Sequence, residues 1–150
     1  MEERVQFWSS RLTSPKNGLF VFVAENEAGQ LVGFASFGNE RTQQYKIDSE
    51  LMAIYILKKF KRGKIGTKLL FEGLKEMIHQ GKNSLLVWVL ANNPSRRFYE
   101  SFSPVRIGEK EIKIGNQVCV EIAYAWKDLT SLKESIAHQV GIKEDENGLG

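Results

Sequence analysis

Two apolar segments flank a basic, glycine-containing stretch near the middle of the chain, and this arrangement limits the folds that are open to it. Residues 50–56 and 84–89 are apolar on both alternating faces, which is typical of strands that are covered on both sides of a sheet. Between them, apolar residues recur at helical spacing, at Leu69, Leu70, Leu74, Met77 and Ile78. Strand, helix and strand in this order predict a βαβ crossover with parallel strands.

Further strands are predicted on either side of the crossover. Residues 20–24 and 31–37 are rich in β-branched and aromatic residues and predict an antiparallel hairpin. Residues 105–114 and 117–126 alternate around Gly115-Asn116 and predict a second, C-terminal hairpin. The expected fold class is therefore α/β (mixed α+β), with a mixed central sheet.

One domain over residues 1–128 is expected, followed by a thinly hydrophobic tail, residues 129–150, that is disordered in part. At the N-terminus, residues 2–12 carry Val5, Phe7, Trp8 and Leu12 near helical spacing and predict a short amphipathic helix.

Composition excludes several classes of protein. No apolar run approaches the roughly 18 residues of a membrane helix, so no membrane association is expected. The charged N-terminus lacks a secretory apolar core, and we expect a cytoplasmic protein. Cys119 is the single cysteine, which excludes an internal disulfide, and His79 and His138 lack partners at metal-ligand spacing. No metal is expected.

Six basic residues and no acidic one lie from Lys58 to Lys68, although the whole chain carries a net charge of only +3. A glycine-containing loop between a strand and a helix presents main-chain N–H groups at the positive end of the helix dipole, which suits a phosphate. The loop has neither the Walker A nor the Rossmann glycine spacing. A diphosphate site and a solvated loop both remain open. Specific nucleic-acid binding is disfavoured, because the net charge is small and no aromatic surface accompanies the block.

The Asn92-Asn93-Pro94 sequence predicts the start of a further short helix that reaches about Ser101, with asparagine as its N-cap. With this helix included, four segments follow one another: Glu50-Leu-Met-Ala-Ile-Tyr-Ile56, Phe60-Lys-Arg-Gly-Lys-Ile-Gly66-Thr-Lys-Leu-Leu70, Leu86-Val-Trp-Val-Leu-Ala-Asn92 and Arg97-Phe-Tyr-Glu100. With these segments, the chain resembles the GNAT acetyltransferase superfamily from residue 20 to about residue 128. The family pattern is a strand, a loop of form Q/R-x-x-G-x-G/A, a helix, a strand and N-x-x-A-x-x-F-Y.

The resemblance implies an N-acetyltransferase that uses acetyl-CoA as cosubstrate and transfers the acetyl group directly to a primary amine. Ile54, Tyr55 and Ile56 would pair with the thioester and the pantetheine arm through the main chain. Asn92 would also bond the pantetheine. The residues that would hold the pyrophosphate are Lys61, Arg62, Gly63, Lys64, Ile65, Gly66 and Thr67.

Two side chains would carry the chemistry in such an enzyme. Tyr99 would face the sulfur and protonate the leaving thiolate, and Glu50 stands where a general base often works in this family. From the residues alone, Tyr99 could also be a core aromatic residue, Asn92 a helix cap and Glu50 a charged strand end. The acceptor is expected to be a small-molecule or peptide amine.

The chain departs from the family pattern in two places. Lys61 stands where Gln or Arg is usual, and Lys64 stands where the first motif glycine is usual. Residues 2–12 look like the family's second helix, so its first strand and first helix are expected to be missing. An unpaired sheet edge would follow and would favour a homodimer. The alternative function is a CoA-binding module with weak or no catalysis.

Overall fold

The computed structural model describes residues 5–10, 19–41 and 44–140, and the side chains of all of these except residues 8–10, 62, 63 and 140. The described residues form seven strands and three α-helices. In chain order they are β1 (Val5–Ser10), β2 (Phe20–Asn26), β3 (Leu31–Asn39), β4 (Ser49–Ile56), α1 (Ile65–His79), β5 (Leu85–Leu90), α2 (Ser95–Glu100), β6 (Val105–Ile114), β7 (Gln117–Trp126) and α3 (Leu129–Val140). A short 3₁₀ helix, Lys58–Gly63, connects β4 to α1.

The strands form one mixed sheet in the order β1-β2-β3-β4-β5-β7-β6. Strands β4 and β5 are parallel and are connected by α1, while the remaining neighbours pair antiparallel. The predicted fold class, the βαβ crossover and both hairpins are confirmed. The C-terminal hairpin has the predicted bounds because its alternation is long and its turn contains Gly115, whose φ is +63°.

The main core lies between α1 and one face of the sheet. Helix α1 buries Leu69, Leu70, Leu74 and Met77 toward the strands. Gly73 allows the helix to approach β3 closely, since a Cβ there would stand 2.1 Å from Cζ of Phe37. The helix therefore packs closely on β2, β3 and β4, the strands that precede the basic loop.

The N-terminal helix predicted over residues 2–12 is wrong, because Val5–Ser10 is a strand that pairs antiparallel with β2. Val5 and Phe7 lie two residues apart and pack on the core from one face. The sheet therefore does not lack a strand before β2, and the predicted unpaired edge of β2 is wrong as well. Homodimer formation stays a prediction without this argument. Residues 11–18, where a helix between β1 and β2 would fall, lie outside the described residues.

The tail expected after residue 128 contains a helix of the core. Helix α3 buries Leu129, Leu132 and Ile136 in the same core as α1. These residues follow helical spacing, but they are few, and burial on α1 compensates for the thin hydrophobicity. The predicted disorder concerns residues that lie mostly outside the described part of the chain. Within that part, no helix is long and apolar enough to cross a membrane.

Candidate functional site

Strands β4 and β5 diverge along their length. Within the described residues they pair only at Glu50 with Leu86 and at Leu51 with Val87. Beyond these pairs, β4 stays bound to β3 as far as Ile56, and β5 stays bound to β7 as far as Leu90. The sheet therefore opens into a gap while each of the two strands remains held by its outer neighbour.

The closed end of this gap is fixed by a compact group of polar residues. The carboxylate of Asp48 accepts hydrogen bonds from the main-chain N–H groups of Asn83 and Ser84 and from the Ser84 hydroxyl, each at 3.0 Å. The Ser84 hydroxyl oxygen accepts from the Asp48 N–H at 2.9 Å, and the buried Ser49 hydroxyl donates to the Ser84 carbonyl. These bonds connect the residues just before β4 and β5 and so set the point from which the strands diverge.

A cavity of about 730 Å³ lies in the gap. It is lined by consecutive residues of β4, 51–56, and by consecutive residues of β5, 87–90. Because successive residues of a strand point to opposite faces of a sheet, the cavity passes between the strands from one face to the other.

The cavity reaches the N-terminus of α1, where Lys61, Lys64, Gly66 and Thr67 line it. Lys61 and Lys64 are exposed, and the first turn of α1 contains no acidic residue. The main-chain N–H groups of this turn are the ones that a helix leaves without internal partners. Cations and unpaired N–H groups together make this end of the cavity suitable for an anion.

Lys64 adopts a left-handed conformation, with φ +62° and ψ +21°, at the residue that precedes α1. A residue with a side chain is strained in this conformation. This is a physical reason why the family that the chain resembles usually has glycine there. At Gly66 a Cβ would meet Phe98 at 3.7 Å and Ile56 at 3.8 Å, which are ordinary contacts. The packing of the protein therefore does not require glycine at this position. The absence of a side chain leaves the main chain of Gly66 open toward the cavity.

The other residues predicted to hold a pyrophosphate differ in placement. The Ile65 side chain is buried in the core, so only its main chain can face a ligand. Arg62 and Gly63 belong to the 3₁₀ helix, but their side chains lie outside the described residues.

Tyr99 lines the cavity from α2 and is 4% exposed. Burial raises the pKa of Tyr99 to about 12. Below this pH the phenol keeps its proton, so it can donate a hydrogen bond into the cavity throughout the neutral range. The predicted position of Tyr99 beside a site is compatible with this geometry, and its role as a proton donor stays a prediction.

Arg96 anchors α2 to its surroundings. Its guanidinium donates to the Ala91 carbonyl at 3.0 Å, to Glu100 at 3.2 Å and to the Tyr124 hydroxyl at 3.4 Å. The Tyr124 hydroxyl in turn donates to Glu100. These bonds to Glu100, first from Tyr124 and then from Arg96, lower the pKa of the Glu100 carboxyl. The network connects α2 with β7 and so positions the face that carries Tyr99.

The structure separates Asn92 from Asn93. Asn93 lines the cavity, and its side-chain oxygen accepts the Ser95 N–H at 2.8 Å, which satisfies a free donor at the start of α2. Asn93 is therefore the asparagine that bonds at the start of this helix, but the N-cap residue is Pro94, so the asparagine N-cap predicted from the sequence is wrong. Asn92 is exposed and is not among the described residues that line the cavity. Its bond to a pantetheine stays a prediction.

Glu50 is 1% exposed and is bound by Arg41. The Arg41 guanidinium donates to Glu50 from Nε at 3.2 Å and from Nη2 at 2.7 Å, and the Arg41 main-chain N–H donates at 3.2 Å. The hydrogen bond to Glu50 is the main reason why the pKa of Arg41 is raised. Glu50 is not among the described residues that line the cavity. A general-base role for Glu50 stays a prediction, and its observed interaction is an ion pair between the buried Glu50 carboxylate and the largely exposed Arg41 guanidinium.

Glu121 lines the cavity from β7 and was not predicted from the sequence. The signal was its pattern, since Glu121 precedes Ala123 and Ala125 at a spacing of two in a strand whose face is otherwise apolar. Trp88, which lines the cavity from β5, was not predicted either.

Comparisons with known proteins agree with this architecture. The sequence profile of the acetyltransferase (GNAT) family matches residues 1–103. The chain is 42% identical over 113 residues to a Bacillus subtilis (strain 168) protein described as the uncharacterized N-acetyltransferase YuaI. That match covers 75% of this chain, which spans 65% of the length of the relative.

Solved structures show the same fold. The ribosomal-protein-alanine N-acetyltransferase of Brucella melitensis is 26% identical, with a TM-score of 0.63 over 73% of this chain and 69% of that chain. The IAA acetyltransferase of Bacillus cereus ATCC 14579 is 18% identical, with a TM-score of 0.62 over 83% of this chain and 99% of that chain, a likeness of fold alone. With the family profile matched over more than half of its length, this chain belongs to the acetyltransferase (GNAT) family.

Proposed function

We propose that this chain uses acetyl-CoA as cosubstrate and transfers its acetyl group directly to a primary amine. The observation that carries the proposal is the gap between β4 and β5, which connects the N-terminus of α1, with its basic residues, on one face of the sheet with the opposite face. A long ligand with a phosphate end and a reactive thioester end fits such a passage.

The residues at the N-terminus of α1 fit the pyrophosphate. Lys61 and Lys64 supply positive charge at the cavity wall, and Gly66 leaves the main chain open there. Charge-assisted hydrogen bonds from ammonium groups to phosphate are among the stronger polar contacts in proteins. The helix dipole acts in the same direction.

The pantetheine arm fits the open edge of β4. Beyond Leu51, β4 has no β5 partner among the described residues, so its main-chain groups on that side can bind a ligand as an added strand would. Ile54, Tyr55 and Ile56 lie in this stretch and line the cavity. Their proposed role, main-chain pairing with the pantetheine arm, is supported by the missing pairing between β4 and β5 at this point.

When bound, acetyl-CoA supplies an acetyl group activated as a thioester. A main-chain N–H of β4 in the open stretch stabilises the negative charge that develops on the carbonyl oxygen. Tyr99 donates its hydroxyl proton to a hydrogen bond at the leaving sulfur. Since the pKa of Tyr99 is about 12 and that of a free thiol is about 8.5, Tyr99 stabilises the thiolate mainly by this hydrogen bond rather than by full proton transfer. Glu50, or water near it, takes the proton of the amine.

Calorimetric titration with CoA at two salt concentrations tests the first step. We expect the Lys61→Ala, Lys64→Ala double variant to bind CoA about 10 to 100 times more weakly than the parent at low salt, and the difference to shrink at high salt. The matched control is Lys58→Ala, Lys59→Ala, which removes the same charge from exposed residues of the 3₁₀ helix before α1 that are not among the described cavity residues.

Equal loss of affinity in both double variants would mean that the basic block acts only through its general field and that the α1 terminus is not the phosphate site. Turnover with a panel of amines tests the second step. Tight CoA binding without acetyl transfer would leave the alternative, a CoA-binding module, for which the engagement of Glu50 by Arg41 is the supporting observation. We keep the cytoplasm as the proposed place of action.

A further inference from the structure

The cavity has opposite charge at its two ends. Lys61 and Lys64 line it beside α1, whereas Glu121 lines it from β7. Glu121 pairs with Leu90 across β5 and β7, and it shares the second face of the sheet with Ala123 and Ala125 rather than the face that α1 covers. The cavity therefore presents a carboxylate at its end on the face of the sheet opposite α1.

This end already holds an ammonium group that belongs to the protein itself. The Nζ atom of Lys110 lies 4.4 Å from the centroid of the Trp88 ring and 3.8 Å from Oε1 of Glu121. An aromatic face and a carboxylate are the two features by which proteins hold ammonium ions. Trp88 and Glu121 both line the cavity, so the place occupied by Lys110 borders the space open to an acceptor.

Lys110 is loosely bound in this place. The 3.8 Å separation from Glu121 is longer than a hydrogen bond, and the Lys110 side chain is 47% exposed while that of Glu121 is 23% exposed. Ion pairs of this kind contribute little to stability. Arg41 is a second cation that interacts electrostatically with Glu121, but it is bound to Glu50 by two guanidinium hydrogen bonds. Lys110 can therefore move into solvent at small cost and leave Glu121 to another cation.

We infer that the acceptor in the proposed acetyl transfer, on which this inference rests, carries a second ammonium group that replaces Lys110 between the Trp88 ring and Glu121. A carboxylate and a ring face both stabilise the protonated form of an amine. The attacking amine must instead lose its proton, so the group held here is the one that does not react. The acceptor class is a diamine or polyamine, or another amine with a separate positive charge.

Matched acceptors test this inference with the full chain. The probes are α,ω-diamines of three to six carbons, the monoamines of the same length and the corresponding ω-amino acids, so that only the distal group changes from cation to methyl to carboxylate. We expect the best diamine to exceed its monoamine in kcat/KM by about tenfold, and the amino acid to be the poorest of the three.

Two substitutions should act in opposite directions. Glu121→Gln should raise KM for the best diamine about tenfold and change that for its monoamine by less than about twofold. Lys110→Met removes the competing cation, so it should lower KM for the diamine. The controls are Glu111→Gln and Lys113→Met, which make the same changes on β6, and neither residue is among those described as lining the cavity.

Calorimetric binding of the diamine to the CoA complex of each variant keeps the test independent of turnover. If Glu121→Gln weakens diamine binding about tenfold and Lys110→Met strengthens it, the inference holds even where transfer is slow. Equal use of the three acceptor classes, or a Lys110→Met variant that binds the diamine more weakly, would overturn it. Failure of the parent to bind CoA would instead reject the proposed function, and the two results are measured separately.

Discussion

The two ends of the β4–β5 pair differ in the partners that their main-chain N–H and C=O groups have for hydrogen bonds. At the closed end, Asp48, Ser49 and Ser84 bond the strands together, and Ser49 and Ser84 are buried. At the open end, Tyr55 is 53% exposed and β4 has no β5 partner among the described residues. The difference separates a start at which the two strands are bonded together from an end at which the main chain of β4 is left open for the proposed ligand.

The gap at the open end costs little stability because each strand keeps its outer partner. Pairing of β4 with β3 continues to Ile56, and pairing of β5 with β7 continues to Leu90. Half of the hydrogen bonds that a central strand makes are therefore kept where the gap is widest, and the unpaired half faces a cavity rather than apolar core. Changes at the closed end should act on folding, and changes at the open end on binding and turnover.

The largest expected effect is on stability at the closed end. Asp48→Ala removes the acceptor of two main-chain N–H groups and of the Ser84 hydroxyl, and it should lower the free energy of unfolding by about 3 kcal/mol. Urea unfolding followed by circular dichroism measures this loss. Asp128→Ala is the control, because Asp128 accepts its hydrogen bonds at the exposed start of α3 and should cost less. Equal losses would remove the special role of the closed end.

At the open end, Tyr99→Phe should act on the reaction. It removes the hydroxyl at the cavity wall and keeps the ring that packs on Phe98 and Trp126. Turnover should fall about 100-fold, which corresponds to about 2.7 kcal/mol in the barrier, while CoA affinity stays within about twofold. Steady-state kinetics and calorimetry separate the two quantities. Unchanged turnover would make Tyr99 a core aromatic residue only.

The crossover and the C-terminal hairpin could be predicted from the sequence because their signals are local. Apolar strands, helical spacing at Leu69 to Met77 and the Gly115 turn each lie within one segment. The strand Val5–Ser10 could not be predicted in this way. Over so short a stretch, Val, Phe and Trp at residues 5, 7 and 8 are compatible with both the helical period and the strand period. The strand forms because the segment pairs with β2, which is a non-local contact.

The same distinction applies to the site. The basic loop and Tyr99 were predicted because the family pattern carries them in contiguous segments. Glu121 was missed because its position beside the cavity depends on the insertion of β7 next to β5, an order that no local pattern contains. Glu50 was predicted from its place in the family pattern, whereas its ion pair depends on the pairing of β4 with β3, since Arg41 lies just after the end of β3.

Alkaline pH should reveal the burial of Tyr99 at the open end. Burial raises its folded-state pKa to about 12, above the value of about 10 of an exposed tyrosine. The unfolded chain therefore ionises first, so the stability from this group is fully present below pH 10 and is lost as the pH rises from 10 to 12. At pH 11 the loss should be about 1.4 kcal/mol. The Tyr99→Phe variant should lack this part, and parallel alkaline profiles of parent and variant would contradict it.

The smallest expected effect concerns Lys64, where binding and stability should change in opposite directions. The left-handed backbone at this residue costs a non-glycine side chain about 1 to 2 kcal/mol, and glycine removes that cost while adding freedom to the unfolded chain. Lys64→Gly should therefore raise the free energy of unfolding by about 0.5 kcal/mol, and Lys64→Ala should not. Both variants lose the same ammonium group at the phosphate end of the cavity, so both should bind CoA several times more weakly than the parent. Chemical unfolding and calorimetry of the three proteins measure the two effects side by side. A glycine variant less stable than the alanine variant would show that the strain at Lys64 is not relieved by removal of its side chain, and that the start of α1 adapts to the residue it carries.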